Sequence, residues 1–67
     1  MRIQLELSDD RVKELKELMQ RVDLETYKDL FNNALMLFEW SVEEAEEGRV
    51  VASIDPEQDR YRELAMP

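Results

Sequence analysis

The chain has 67 residues, no cysteine, no histidine and a net charge of −8. A domain this short buries a small share of its surface and usually relies on a disulfide, a metal or a second chain. The composition excludes the first and leaves a structural zinc site without its usual ligands, so oligomerisation remains. With 43% hydrophobic residues there is material for a core, which argues against a disordered chain. The chain opens without a secretory leader and no apolar run approaches membrane-spanning length, so the expected setting is the cytoplasm, with no membrane partner. The charge is uneven: residues 1–24 carry −1, residues 25–47 carry −6 and residues 48–67 carry −1.

Residues 2–7, Arg-Ile-Gln-Leu-Glu-Leu, alternate strictly between polar and apolar. That period predicts a half-buried strand, with Ile3, Leu5 and Leu7 toward a core and Arg2, Gln4 and Glu6 away from it. It is the only strand expected in the first 47 residues. A lone strand leaves its backbone groups unpaired, so it needs a partner, and the nearest source is the same strand of a second copy.

Ser8, Asp9 and Asp10 suit a helix start. Val12, Leu15, Leu18, Met19 and Val22 then recur at spacings of three and four, which predicts an amphipathic helix over about 10–21. Lys13 with Glu17, and Glu14 near Lys16, mark its solvated face. Asp23-Leu24-Glu25 reads as a turn. Thr26 caps the next helix, with Asp29 three residues on. Leu30, Phe31, Ala34, Leu35, Phe38, Ser41, Val42 and Ala45 form one stripe, which Leu37 and Trp40 widen. This second helix should run from about 27 to 47, with Gly48 just past its end. Glu43, Glu44, Glu46 and Glu47 crowd that end, where the helix dipole disfavours acids.

Residues 49–54 are β-prone. Asp55-Pro56-Glu57-Gln58 has the chemistry of a helix start, with Asp as cap, Pro in the first position and Gln in the third, and predicts a short helix to about Leu64. The chain therefore divides into a core, residues 1–48, and a C-terminal extension, residues 49–67, made of a short strand and a short helix.

The order of strand, helix and longer helix resembles the ribbon-helix-helix family of Arc-, MetJ- and CopG-type repressors. The resemblance covers about two thirds of the chain and rests on the alternating strand, the Asp-rich cap, a helix of about twelve residues and the Thr26-started second helix. It implies a mainly α fold with a short β-strand. Two chains would intertwine into a homodimer with an intermolecular two-stranded antiparallel ribbon, and the ribbon would enter the major groove of double-stranded DNA. The dimer core would hold Ile3, Leu5, Leu7, Leu30, Phe31, Leu35 and Phe38.

On the same resemblance the base-contacting residues are Arg2, Gln4 and Glu6. Their chemistry suits guanine O6 and N7, adenine N6 and N7, and cytosine N4, respectively. The phosphate contacts are Thr26, Tyr27 and Lys28, at the N-terminus of the second helix. The chain departs from the family in its turn, which has no glycine and places Asp23 and Glu25 near the expected phosphate. Many family members are antitoxins whose C-terminal segment wraps a toxin; here Val50, Val51, Ile54, Tyr61 and Leu64 would be the anchors for such a protein partner.

The function expected is thus a DNA-binding transcriptional regulator, in one version an antitoxin that represses its own operon. The alternative is an acidic ribbon-helix-helix dimer that acts as a protein-interaction module without binding DNA. No enzyme, metal or cofactor is expected: there is no His, Cys or Gly-rich phosphate loop, and Ser41 and Ser53 have no evident base. Met36, Phe31, Phe38 and Trp40 fall at helical spacing and read as core rather than as a ligand cage.

Overall fold

A computed structural model describes all residues, 1–67. The chain contains two helices, α1 (Asp9–Arg21) and α2 (Tyr27–Glu46), and two strands, β1 (Ala52–Asp55) and β2 (Arg60–Glu63). It divides into two units, Met1–Phe31 and Asn32–Pro67.

In the first unit, residues 1–8 have no regular structure and are exposed along their whole length. The alternation of residues 2–7 finds no strand to pair with inside its own chain. Helix α1 starts where the local chemistry places it. Ser8 is extended, and its Oγ accepts from the Arg11 amide at 3.1 Å. Asp9 and Asp10 sit in the first turn and Arg21 in the last, each matched to the helix dipole.

The end of α1 is a Schellman cap. The Leu24 amide donates to the Met19 carbonyl at 2.9 Å and the Asp23 amide to the Gln20 carbonyl at 3.4 Å. Asp23 takes the left-handed conformation, φ 57°, that glycine usually supplies. Aspartate tolerates this region better than most side chains, which is how the turn closes without a glycine. Met19 and Leu30 are the buried hydrophobic residues of the chain, at 7% and 8% exposure, and Val12, Leu15 and Leu24 are half-buried.

In the second unit, α2 ends in a second Schellman cap. Gly48, φ 76°, donates to the Ala45 carbonyl at 3.0 Å, and the Arg49 amide donates to the Glu44 carbonyl at 2.9 Å. The Arg49 side chain returns to the same residue, its Nε donating to Glu44 Oε2. Ser41, 1% exposed, spends its hydroxyl on the Leu37 carbonyl at 2.8 Å, so this buried polar group is satisfied.

Strands β1 and β2 form an antiparallel hairpin with Ala52 opposite Glu63, Ser53 opposite Arg62, Ile54 opposite Tyr61 and Asp55 opposite Arg60. A Leu64 amide to Val51 carbonyl bond of 2.7 Å extends the pairing. The hairpin corrects the expectation of a short helix after Pro56. Asp55 Oδ1 accepts from the amides of Glu57 and Gln58 at 3.1 and 3.2 Å, which caps a turn as readily as a helix. Pro56 fits the second position of that turn. Asp59, φ 52°, then turns left-handed and ends any helical path. The residues beyond it pair back on β1, where Ile54 and Tyr61 form a cross-strand couple of the kind that stabilises sheets.

Candidate nucleic-acid interface

Arg2, Gln4 and Glu6 are exposed, and so are Ile3, Leu5 and Leu7. In an extended backbone, period two would send the polar three and the apolar three to opposite faces. Leu5 is 64% exposed, so two thirds of a core-type side chain stands uncovered in the single chain.

The second group of candidate residues lies at the N-terminus of α2. Thr26 Oγ1 accepts from the Asp29 amide at 3.1 Å, and the Thr26 carbonyl accepts from Leu30 at 3.1 Å. Thr26 is therefore the cap expected from its sequence position. Tyr27 and Lys28 follow in the first turn, where amides have no intrahelical acceptor and the dipole attracts anions. Lys28 is the one basic residue of this turn, and Glu25 and Asp29 flank it. Asp23 is committed to closing α1; sequence reasoning noted the missing glycine but not that Asp23 takes its place. An Asn or Asp just past a predicted helix end, where a glycine is expected, is the signal for it.

Of the expected dimer-core residues, Leu30 is already buried. Phe31, Leu35 and Phe38 are exposed on α2, as are Ile3, Leu5 and Leu7 before α1. Met36, Leu37 and Trp40 are exposed as well. At about 100° per residue, Met36 and Trp40 lie across the helix from Phe38 rather than at the margin of its stripe.

The hairpin separates the five residues expected to anchor a partner. Ile54 and Tyr61 share one face, and both are exposed. Val51 and Leu64 belong to the other face and, with Ser41, Ala45, Val50 and Met66, line an open groove of about 330 Å³. The Tyr61 hydroxyl donates to Glu63 Oε1 at 3.2 Å. Desolvation, and then the Glu63 carboxylate that accepts from it and repels its anion, hold its pKa above the ordinary tyrosine value.

The Ser41 hydroxyl is bonded to a helix carbonyl, and no group of three His, Cys, Asp or Glu residues could hold a metal ion. No helix is long and apolar enough to cross a membrane. Set beside protein-family models, curated proteins and solved structures, the chain matches none.

Proposed function

We propose that the chain works as an intertwined ribbon-helix-helix homodimer and that the dimer binds double-stranded DNA as a transcriptional regulator. The observation that carries the reading is the uncovered apolar set Ile3, Leu5, Leu7, Phe31, Leu35 and Phe38. Three of these sit on an unpaired alternating segment and three follow helical spacing on α2, which is the division a shared ribbon-over-helices core requires.

Pairing residues 2–7 of two chains would double Arg2, Gln4 and Glu6 into a patch of six side chains able to meet base edges in a major groove. The capped start of α2 at Thr26, Tyr27 and Lys28 supplies the anion-attracting end that would hold the phosphate backbone. The acidic excess of residues 25–47 does not forbid this approach. In physiological salt, exposed charges more than about 10 Å apart are largely screened, and four of those acids lie at the far end of α2.

The test is a mobility-shift titration of the full chain, with the DNA upstream of its own gene and with a scrambled duplex. Losing a bidentate base contact costs about 1–3 kcal/mol, and each change acts twice per dimer. Arg2→Ala and Gln4→Ala are therefore expected to weaken specific binding at least about tenfold, while Lys28→Ala weakens both duplexes alike and flattens the salt dependence. Equal or absent binding to the two duplexes by a verified dimer would favour the second reading, a protein-interaction module. Glu25 and Asp29 beside the phosphate position speak for it. In the antitoxin version of either reading, the exposed Ile54–Tyr61 face of the hairpin is the anchor for a toxin.

A further inference from the structure

Two departures from ordinary helix design fall on the same part of α2. Met36 and Trp40 are large apolar residues at a spacing of four, 64% and 48% exposed. Glu43 and Glu47 continue the same face at spacings of three and four, toward the helix end whose dipole already carries negative charge. Glu39 lies beside them. The acids cost stability at this end of a helix, and the apolar pair leaves two large side chains in water without a partner in the chain; local rules broken together are where function is to be sought.

The proposed dimer does not account for this face. Counting about 100° per residue, Met36 and Trp40 stand roughly 160° from Phe38, and one helix cannot present both to a single packing partner. The chain's own cations do not account for the acids either. Its two ion pairs join Arg11 to Glu14 and Arg49 to Glu44, and Glu39, Glu43 and Glu47 take part in neither. The result is an apolar pair followed by an unneutralised acidic run, about 16 Å from Met36 to Glu47 along the axis, or three helical turns.

We propose that the Met36–Trp40 face of α2, with Glu39, Glu43 and Glu47 beside it, docks a basic amphipathic helix of a partner protein. Charge decides the class of occupant: residues 25–47 carry −6, so an acidic segment is repelled and a lysine- or arginine-rich one is attracted. The apolar pair supplies what charge alone lacks. Trp40 offers a broad surface of the kind that anchors interfaces and a π-face that attracts a cation, and Met36 adapts to irregular apolar partners. Helix-on-helix docking uses anchors three and four residues apart, the spacing present here. The inference does not depend on whether the ribbon reads DNA.

Trp40 is the single tryptophan of the chain and reports its own environment. The full chain is titrated with a synthetic amphipathic helix of leucine and lysine, about five turns or 18 residues long. A leucine–glutamate peptide of the same pattern serves as comparison. The expected result is a blue shift of Trp40 emission with the lysine peptide and none with the glutamate peptide. Met36→Glu separates the two contributions, because it removes apolar area while adding negative charge. It should weaken the lysine peptide about tenfold, and Glu43→Lys should weaken it by a similar factor, in proteins whose circular dichroism is unchanged. Three results overturn the proposal: equal shifts with both peptides, binding to Met36→Glu that is as tight as wild type or tighter, or a Trp40 already shielded from acrylamide in the chain alone. The last would assign the face to a second copy.

Discussion

Replacing Leu5 by lysine distinguishes a dimer core from a loose N-terminal arm. In the single chain Leu5 is 64% exposed and belongs to no regular element, so a chain that works as a monomer would hardly register the change. In the proposed dimer the remaining two thirds of the side chain is covered. Fully burying a leucine is worth about 1.5–3 kcal/mol, so covering that share is worth about 1–2 kcal/mol per chain, or about 2–4 kcal/mol per dimer. At about 1.4 kcal/mol per factor of ten, losing it weakens dimerisation at least roughly 30-fold, before the cost of burying two lysine charges is added. Glu6→Lys is the control: the same new side chain one residue on, on the opposite face of the ribbon. Sedimentation across a micromolar dilution series reads both. The expectation is dissociation of Leu5→Lys with loss of helical circular dichroism, and a dimer of wild-type affinity for Glu6→Lys. Equal affinities for the two variants, or a wild type that sediments as a folded monomer, would refute the shared-core reasoning.

Three further outcomes follow from the local geometry. Asp23→Gly is expected to raise stability by about 1 kcal/mol, because glycine takes φ 57° without the side-chain penalty; a lowered thermal midpoint would contradict it. Gly48→Ala should lower stability by a similar amount, about 1 kcal/mol, through backbone strain alone, since an added Cβ meets nothing within 4 Å. Glu63→Gln removes the hydrogen-bonded charge beside Tyr61 and should bring its ionisation down, read by ultraviolet absorbance titration against wild type. A raised pKa means that the folded state holds this proton more tightly. The associated stability is therefore present below pH 10.0, the unfolded value, and is lost as pH rises through the folded one; in Glu63→Gln that loss begins at lower pH.

The helices were legible because their limits are set within a few residues. Ser8 and Thr26 bond to amides three positions on, and Gly48 takes the left-handed conformation just past α2, so α1 and α2 begin and end within one or two residues of their expected bounds. The period of α2 states which side chains share a face, but of its stripe only Leu30 and Ser41 are buried in the single chain. Residues 2–7 show the opposite case. Their alternation states which side chains want a core, but strand structure needs hydrogen bonds from another segment, and the single chain offers none.

The C-terminal extension is where local chemistry pointed two ways. Asp55 and Pro56 suit a helix cap and a β-turn equally, because both motifs ask a side-chain oxygen to accept from amides two or three residues on. The sequence by itself determined that the chain reorganises at Asp55. Only the tertiary structure decided for a hairpin, through pairing of Arg60–Glu63 with Ala52–Asp55 and the contact of Ile54 with Tyr61 across the strands. The same division holds for Met36 and Trp40. Their residue types and spacing match a core stripe, whereas their exposure depends on which face of α2 the remaining chain covers, and nothing within the helix specifies that.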